Sequence, residues 1–480
     1  MFDAVIIGGG PAGATAGRLL AQWGHAVVIL TAPADPRPTL AECLPPSTRK
    51  LFRFLGIQDD IDGAGFYRTN GNTVWWGGRR RRVEPYPAGF GYQVPRGEFD
   101  RLLLGLAQSA GAQVRFGKVF SVPGEGGPRI EFQTAAKRVP VRARFLLDCS
   151  GRAGVIGRRF RVRQRHPRTV ALWGVWRNDE GWKLPDPSHT LVESYGDGWA
   201  WSVPLARDVR HVAFMVGPGE TQMVRGQGPG ARYRAELAKT AAFRRIFARG
   251  ALERGPWGRD ASLYTARSFC GPGFLLAGDA GACIDPLSSF GVKKAMVSAW
   301  AGAVVANTWL RKPAMRETAL RYFEERERQV QEDYARQSGA WFRAGAARQG
   351  HPFWEHRGEE ADAANGRMEM DAVRAALEAL RRKSSIHLRR ADGVRTEPRP
   401  GIEGREIVLR DALMAPGVAG ALDFLANVHL PRLVELAERG SSQVPDLYEA
   451  YNRACAPVAL PDFLTALAAL VAKGILIDRA

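Results

Sequence analysis

A short strand, a glycine-rich turn and a helix open the chain, and they constrain its fold more than any other feature. Residues 4–7 form an apolar run typical of a buried parallel strand, and residues 14–22 have the pattern of a helix. The turn between them has the sequence Gly8-Gly9-Gly10-Pro11-Ala12-Gly13. Here Gly8 permits the tight turn, Gly10 lets the backbone approach a pyrophosphate, and Gly13 allows close helix–strand packing. Free amides and the helix dipole favour phosphate charge at this turn, which predicts a dinucleotide site.

The second strand of this unit ends without the acidic side chain that usually holds the adenosine ribose. Residues 26–30 form the strand, and the acidic residue is expected about 20 positions beyond the glycines. Thr31 stands there instead. Because a hydroxyl offers one oxygen where a carboxylate offers two, we expect Thr31 to make a weaker ribose contact.

A second strand–turn–helix lies in the second half of the chain. Residues 274–277 form an apolar strand, Gly278 and Asp279 follow it, and residues 292–310 form an Ala-rich helix. The segment before that helix has the sequence Asp285-Pro286-Leu287-Ser288-Ser289-Phe290-Gly291. Together with the N-terminal turn, this element favours FAD as the dinucleotide, with the flavin ring near the start of the second helix.

The succession of patterns predicts an α/β chain (α+β overall) of two or three domains, as its length of 480 residues suggests. A Rossmann-like FAD-binding domain is assigned to residues 1–65, 93–160 and 266–345. An inserted antiparallel β-sheet substrate domain is assigned to residues 66–92 and 161–265. The remainder, 346–480, is predicted to be a mostly helical C-terminal domain. A helix over 461–472, Gly474 and a strand over 475–477 suggest a winged-helix-like end.

The chain is strongly basic, with a net charge of +19, and most of its 68 basic residues are arginine. Either arginine is spread over a solvated surface, or the charge attracts an acidic partner such as an acidic protein or an anionic cofactor. No zinc-finger or helix-turn-helix spacing supports binding of nucleic acid.

The cysteines and histidines give no sign of a disulfide framework or a metal site. The 5 cysteines are scattered without a Cys-x-x-Cys pair, and the 8 histidines lack ligand spacing. The first strand follows Met1 almost directly, and no run of about 18 apolar residues occurs. We therefore expect no metal, no signal peptide, no membrane span and a cytoplasmic location.

The order of these landmarks resembles that of group A flavoprotein monooxygenases and their halogenase relatives over residues 1–345. The resemblance is carried by the N-terminal glycines, Glu42, Arg96 with Asp100, Asp148 with Gly151, and Gly278 with Asp279. It implies a set of FAD contacts: Gly8, Gly10 and Gly13 at the pyrophosphate, Arg96 at the phosphates or ribityl chain, Val119 at the adenine, Asp279 at the ribityl hydroxyls, and Pro286, Ser289 and Gly291 beside the isoalloxazine. The remaining cofactor-binding residues are Pro11, Ala12, Thr31, Glu42, Gly278 and Val292.

A short aromatic motif, Trp199-Ala200-Trp201-Ser202-Val203-Pro204, looks like the Trp-x-Trp-x-Ile-Pro signature of flavin-dependent halogenases. In that family the motif lines a tunnel between flavin and substrate. The resemblance therefore makes Trp199, Trp201 and Phe290 candidates for the walls of the substrate pocket, with no acid or base assigned. Two aromatic side chains at period two suit the core-facing side of a strand equally well.

Halogenases with this signature need a lysine beyond the Glu42-type element to carry a hypohalous species. This chain has no lysine between Lys50 and Lys118. The region in question, residues 66–72, contains Arg68 instead. Arginine stays protonated and therefore does not readily form a haloamine. We therefore predict FAD-dependent hydroxylation of an aromatic substrate through a flavin C4a-hydroperoxide, with O2 as co-substrate and reduced flavin or NAD(P)H as the electron source.

A finer resemblance is to halogenase-like monooxygenases that hydroxylate tryptophan during maturation of peptide-derived tryptophylquinone cofactors. It is carried by residues 45–47, 285–294 and 350–354. It implies that the substrate is a tryptophan side chain of a peptide or protein. Three alternatives remain open: a flavin-dependent halogenase, a flavin reductase acting on an isoprenoid double bond, and a non-catalytic peptide-binding module.

Overall fold

A computed structural model describes most of the chain and divides it into two compact units, residues 1–362 and 363–480. The description covers residues 1–33, 41–78, 81–87, 89–124, 127–135, 137–163, 168–217, 229–358, 365–383, 385–418, 420–440 and 443–478.

The first unit contains a six-stranded sheet whose neighbours are parallel except at one edge. In spatial order its strands are β20 (Cys270–Gly271), β21 (Phe274–Leu276), β12 (Ala143–Asp148), β1 (Phe2–Ile7), β2 (Val27–Thr31) and β8 (Gln113–Phe116). The short β20 pairs antiparallel with β21. Residues 4–7 of β1 are fully buried, as expected for a strand covered on both faces. The predicted Rossmann-like arrangement is confirmed.

Helices cover this sheet, and two of them begin at the turns that the sequence singled out. The helices of the first unit are α1 (Pro11–Gln22), α2 (Ser47–Leu55), α3 (Gln58–Gly63), α4 (Arg96–Ser109), α5 (Pro229–Lys239), α6 (Ala242–Ile246), α7 (Gly291–Arg311), α8 (Arg316–Gln349) and α9 (Pro352–Gly358). Small residues along α1 and α7 let the two helices pack closely over the sheet.

A seven-stranded sheet forms the second layer of the first unit. In spatial order its strands are β18 (Ala251–Asp260), β14 (Val170–Arg177), β17 (Val209–Val216), β16 (Gly198–Pro204), β15 (Thr190–Tyr195), β5 (Gly71–Trp75) and β6 (Arg82–Pro85). The pairings are antiparallel, as predicted, except that β15 and β5 run parallel. The sheet thereby brings residues 71–85 beside the inserted segment, although the two are far apart in sequence.

Smaller sheets complete the first unit. Their strands are β3 (Ala41–Leu44), β7 (Gly91–Pro95) and β4 (Tyr67–Thr69) in one; β11 (Arg138–Val141), β10 (Arg129–Gln133) and β9 (Lys118–Val122) in a second; and β13 (Arg161–Arg163) and β19 (Tyr264–Ala266) in a third. Because β4 and β7 pair with each other, only β5 and β6 of the predicted segment 66–92 join the large sheet.

The second unit has its own apolar core and combines helices with paired strands. Its helices are α10 (Asn365–Arg382), α11 (Leu430–Glu438), α12 (Val444–Ala454) and α13 (Leu460–Ala472). Its strand pairs are β22 (Leu388–Arg390) with β27 (Leu476–Asp478), β23 (Arg395–Glu403) with β24 (Glu406–Met414), and β25 (Phe424–Leu425) with β26 (Val428–His429). Gly474 joins α13 to β27 with a φ of 65°. The winged-helix-like character stays a prediction.

The boundary predicted at residue 346 needs correction. Helix α8 continues to Gln349, and α9 buries Phe353 and Trp354 completely in the first unit. The Trp354 ring lies 5.3 Å from that of Trp76, edge to face. This aromatic packing anchors Phe353 and Trp354 to the first unit, and the chain divides into its two units after residue 362.

Candidate active site

A cavity of about 500 Å³ lies at the carboxyl ends of β1, β2 and β12, and we call it the sheet-edge cavity. Ligands of open parallel sheets bind at this edge. The structure places eleven of the predicted cofactor residues in its wall: Gly8, Gly10, Pro11, Ala12, Thr31, Glu42, Arg96, Val119, Asp279, Gly291 and Val292. Four others lie outside the described lining: Gly13, Gly278, Pro286 and Ser289.

The three glycines of the first turn do different things. A Cβ added at Gly13 would lie 1.8 Å from the Gly8 carbonyl oxygen, so Gly13 serves helix–strand packing. Gly8 has a φ of 102°, and a Cβ there would lie 2.5 Å from the Cys149 carbonyl oxygen. At Gly10 the nearest atom to such a Cβ is an Asp100 carboxylate oxygen at 3.7 Å. Gly10 therefore faces open cavity, and this space suits a phosphate approaching the backbone.

Thr31 is tied to the glycine turn. Its hydroxyl accepts a hydrogen bond from the Gly9 amide at 3.0 Å. A Cβ on Gly9 would lie within 3.2 Å of three Thr31 side-chain atoms. Thr31 thus fixes the end of β2 against the glycine turn. The sequence predicted only a weaker ribose contact for Thr31 and not this structural role. The predicted ribose contact stays a prediction.

Arg96 forms the charged centre of the sheet-edge cavity. Its guanidinium donates two hydrogen bonds to Asp100, at 2.9 and 3.0 Å, and one to Glu42 at 3.3 Å. Burial works against the charged form of Arg96, but Asp100 and Glu42 outweigh it and raise its pKa. Burial raises the pKa of the Glu42 carboxyl, and Arg96 partly offsets this effect. The pairing holds both side chains at the cavity wall.

Asp148 organises the loop that closes one side of this cavity. Its fully buried carboxylate accepts hydrogen bonds from the amides of Ser150, Ile156 and Gly157 and from the Ser150 hydroxyl. Ser150, Gly151, Ala153 and Val155 of the same loop line the cavity. The loop conformation therefore depends on one carboxylate.

The turn at Gly278 and Asp279 is held by groups that sequence reasoning missed. The Gly278 amide donates to the Ser298 hydroxyl at 3.0 Å, and the buried Lys294 ammonium donates to the Gly278 carbonyl at 2.9 Å. Lys294 Nζ also lies 3.8 Å from Asp279 Oδ1. The sequence signal for these groups is the presence of polar residues, Lys294 and Ser298, at buried positions of the Ala-rich helix α7. Their contacts hold the turn so that Asp279 lines the sheet-edge cavity.

A second cavity of about 340 Å³, the aromatic cavity, lies between the seven-stranded sheet, residues 287–290 and α8. It is walled by apolar and aromatic side chains with a few polar groups. The described lining consists of Pro45, Asn72, Val74, Trp76, Glu84, Tyr86, Thr190, Val192, Leu287, Ser288, Ser289, Phe290, Gln337, Ser338 and Trp341. Phe290 lines this cavity, and its contact with a substrate stays a prediction. Ser289 lies here and not in the described lining of the first cavity.

Trp199 and Trp201 are not part of this described lining. Both are buried in the apolar core of the seven-stranded sheet. Trp199 instead contacts a wall residue, because its ring lies 6.4 Å from that of Trp76. The indole N–H of Trp76 donates to the Trp341 carbonyl at 2.9 Å. Trp199 of the sequence motif therefore packs against the aromatic wall from the core side, whereas Trp201 is a core residue of the sheet.

One short segment borders both cavities. Residues 287–290 line the aromatic cavity, whereas Gly291 and Val292, at the start of α7, line the sheet-edge cavity. A group bound in one cavity is therefore separated from a group in the other by this segment of backbone.

His211 links the large sheet to the segment that carries Glu42. Its ring nitrogen Nδ1 accepts a hydrogen bond from the Ala41 amide at 3.0 Å. Burial and the charge of Arg254 lower the His211 pKa from 6.5 to about 4. The folded protein thus favours the neutral ring, while the unfolded chain takes up a proton near pH 6.5.

We predict that the free energy of unfolding decreases as the pH falls from about 6.5 to about 4, because the unfolded state binds the extra proton in this range. The His211 contribution is at most about 3 kcal/mol. Urea denaturation at several pH values would measure it, with His211→Phe as the comparison. Equal pH dependence in both proteins would contradict this assignment.

In the described ranges, no cluster of His, Cys, Asp or Glu side chains is arranged to hold a metal ion. Within the described part of the chain, no helix has the length and apolar character needed to cross a membrane.

Comparison with known proteins identifies the family. A family model described as FAD binding domain matches residues 1–337, so the chain belongs to this FAD-binding family. Its sequence and its fold are similar to those of flavin-dependent halogenases. The open space at Gly10, together with the charged groups around it, fits such a cofactor.

The sequence is 32% identical over 314 residues to tryptophan 2-halogenase from Chondromyces crocatus, which covers 62% of this chain and 59% of the relative. The chain thus matches about three fifths of that relative's length. The crystal structure of the flavin-dependent halogenase CmlS superposes with a TM-score of 0.82 at 22% identity, covering 99% of this chain and 96% of that chain.

The peptidyl tryptophan dihydroxylase QhpG, essential for tryptophylquinone cofactor biogenesis, superposes with a TM-score of 0.71 at 23% identity. It covers 98% of this chain and 99% of that chain. At these identities the likeness to CmlS and QhpG shows the fold. The predicted resemblance to halogenase-like flavoproteins is confirmed.

Proposed function

We propose that this flavoenzyme modifies an electron-rich aromatic ring bound in the aromatic cavity, and that the reaction is halogenation. The observation that carries the proposal is the segment 287–292, which borders the sheet-edge cavity on one side and the aromatic cavity on the other. The segment therefore contributes both to the cavity that would hold FAD and to the cavity that would hold the aromatic ring. The halogenase relatives favour halogenation over the hydroxylation predicted from the sequence.

The residues of the first cavity would bind and orient FAD. Gly10 leaves room for the pyrophosphate, Arg96 offers positive charge, and Asp279 offers a carboxylate to the ribityl hydroxyls. When bound, FAD would supply activation of O2, with electrons from reduced flavin or NAD(P)H, and thus an oxidant for halide. Phe290, Trp76 and Trp341 would hold the substrate ring and exclude water from it.

Hydroxylation is the second candidate, and a specific observation favours it. No lysine lies between Lys50 and Lys118, and the described lining of the aromatic cavity contains none. An amine that could carry a halogen to the substrate is therefore missing from that wall. The likeness to QhpG extends this candidate to a tryptophan side chain in a peptide or protein.

Product analysis separates the two reactions. The FAD-loaded protein would be supplied with a flavin reductant, O2, excess bromide and either an indole or a tryptophan-containing peptide. We expect products with the isotope pattern of bromine by mass spectrometry. Products that gain only oxygen would replace halogenation by hydroxylation, and a complete absence of modified products would contradict both. Protein without FAD is the control.

A further inference from the structure

The charge of the aromatic cavity contrasts with that of the chain. The chain has a net charge of +19, yet the described lining of this cavity includes no Lys, Arg or His and a single carboxylate, Glu84. The aromatic cavity thus differs in charge from the chain as a whole, which is rich in arginine. The lining is therefore unfavourable to an anionic group and favourable to a cation or a hydrogen-bond donor.

Strand register explains why Glu84 faces the cavity. Glu84 of β6 pairs with Asn72 of β5, and Arg82 pairs with Val74. Asn72 and Val74 both line the cavity, and side chains of directly paired residues lie on the same face of a sheet. Glu84 is therefore directed to the cavity by the hairpin itself.

Glu84 is held in place by one described ion pair. Arg82 Nη2 lies 2.6 Å from Glu84 Oε1, and both side chains are partly exposed. The Arg82 guanidinium lies 5.5 Å from the centre of the Trp341 ring. Arg82 thus sits beside the cavity and weakens the negative potential of Glu84 without being part of the described lining.

Two further polar groups are available to a ligand. Ser338 is 7% exposed, and in the described part of the chain its hydroxyl has no hydrogen-bond partner. The Tyr86 hydroxyl donates to the Asn72 side-chain oxygen at 3.1 Å and lies 3.8 Å from Cys43 Sγ, and its oxygen has a further lone pair to accept a hydrogen bond. Burial raises the pKa of Tyr86, so the phenol stays neutral. An unpaired buried hydroxyl is costly, and a polar substituent on the ligand would satisfy it.

We propose that the aromatic cavity selects aromatic substrates that carry a protonated amine or another hydrogen-bond donor directed at Glu84, and that it discriminates against aromatic carboxylates. Trp76, Phe290 and Trp341 supply the apolar faces for a one- or two-ring system, and Glu84 supplies the charge preference. This inference rests on the proposed function in taking the aromatic cavity as the substrate site.

Three indole probes of similar size test the charge preference. Tryptamine is cationic, tryptophol is neutral, and indole-3-acetate is anionic. Isothermal titration calorimetry of the FAD-loaded full chain should show affinity decreasing from tryptamine to tryptophol to indole-3-acetate. Because Glu84 is partly exposed, we expect the affinities of tryptamine and indole-3-acetate to differ about fivefold. Indole-3-acetate binding as tightly as tryptamine, or no binding by any probe, would overturn the proposal.

Variants identify the residue responsible. Glu84→Gln should remove most of the tryptamine preference, and Arg82→Gln should increase it. Glu325→Gln is the matched control, because it removes the same charge from an exposed position of α8, and it should leave the order unchanged. Trp341→Ala should weaken all three probes alike. Circular dichroism and flavin content would show that each variant is folded, and an unchanged order in Glu84→Gln would refute the role of Glu84.

Turnover of the same probes is measured separately. The predicted binding order without any modified product would refute the proposed function and leave the cavity assignment intact. Modified products together with equal binding of all three probes would support the proposed function and refute the charge preference of the aromatic cavity.

Discussion

Gly10→Val should abolish FAD binding while the chain still folds. The new side chain would project into the sheet-edge cavity, since the protein atom nearest to a Cβ at this position is 3.7 Å away. It would occupy the space of the pyrophosphate and should weaken binding about 100-fold or more. Flavin absorbance after dialysis and a fluorescence titration of apoprotein with FAD would measure the loss.

Two other glycines give the controls for this experiment. Gly105→Val, on α4 with no atom within 4 Å of the added Cβ, should keep full flavin content. Gly13→Ala should damage the fold itself, because its Cβ would overlap the Gly8 carbonyl oxygen. A folded Gly10→Val protein that binds FAD like the wild type would mean that the pyrophosphate lies elsewhere.

Asp148→Ala should have the largest effect on stability. The substitution leaves three backbone amides and one hydroxyl without the carboxylate that they share. For a fully buried, charge-assisted network we expect a loss of about 3 kcal/mol or more. All 13 tryptophans lie in the first unit, so urea denaturation followed by tryptophan fluorescence reports on the unit that contains Asp148.

The same variant should also bind FAD less tightly, because Asp148 shapes the loop from Ser150 to Val155 in the cavity wall. Asp59→Asn, at an exposed position of α3, is the control and should change neither property. A stability loss below about 1 kcal/mol in Asp148→Ala would show that the loop is held by other contacts.

Several parts of the sheet-edge cavity follow from local sequence patterns, and their predicted contacts with FAD stay predictions. A buried strand, glycines of fixed spacing and a helix start define the first turn, and the second turn repeats this logic at Gly278. The carboxyl ends of parallel strands meet at one edge, which brings Asp279, just after β21, to the glycine turn. Glu42 and Arg96 reach the same cavity from the antiparallel pair β3 and β7.

The aromatic cavity could not be predicted in the same way. Its wall joins β5 and β6, residues 287–290 and α8, and the parallel pairing of β5 with β15 that assembles it has no local sequence signal. Period two placed Trp199 and Trp201 on one strand face but did not say which layer that face meets. The contact of Thr31 with Gly9 could not be predicted either, because it depends on how the glycine turn after β1 packs against the end of β2.

A crystal structure of the protein with FAD and tryptamine would test the central claim most directly. The proposal predicts the pyrophosphate on the turn from Gly8 to Gly13, the flavin ring beside Gly291 and Val292, and the indole between Phe290 and Trp341 with its amine toward Glu84. An indole bound outside the aromatic cavity, or a flavin ring away from the start of α7, would contradict it.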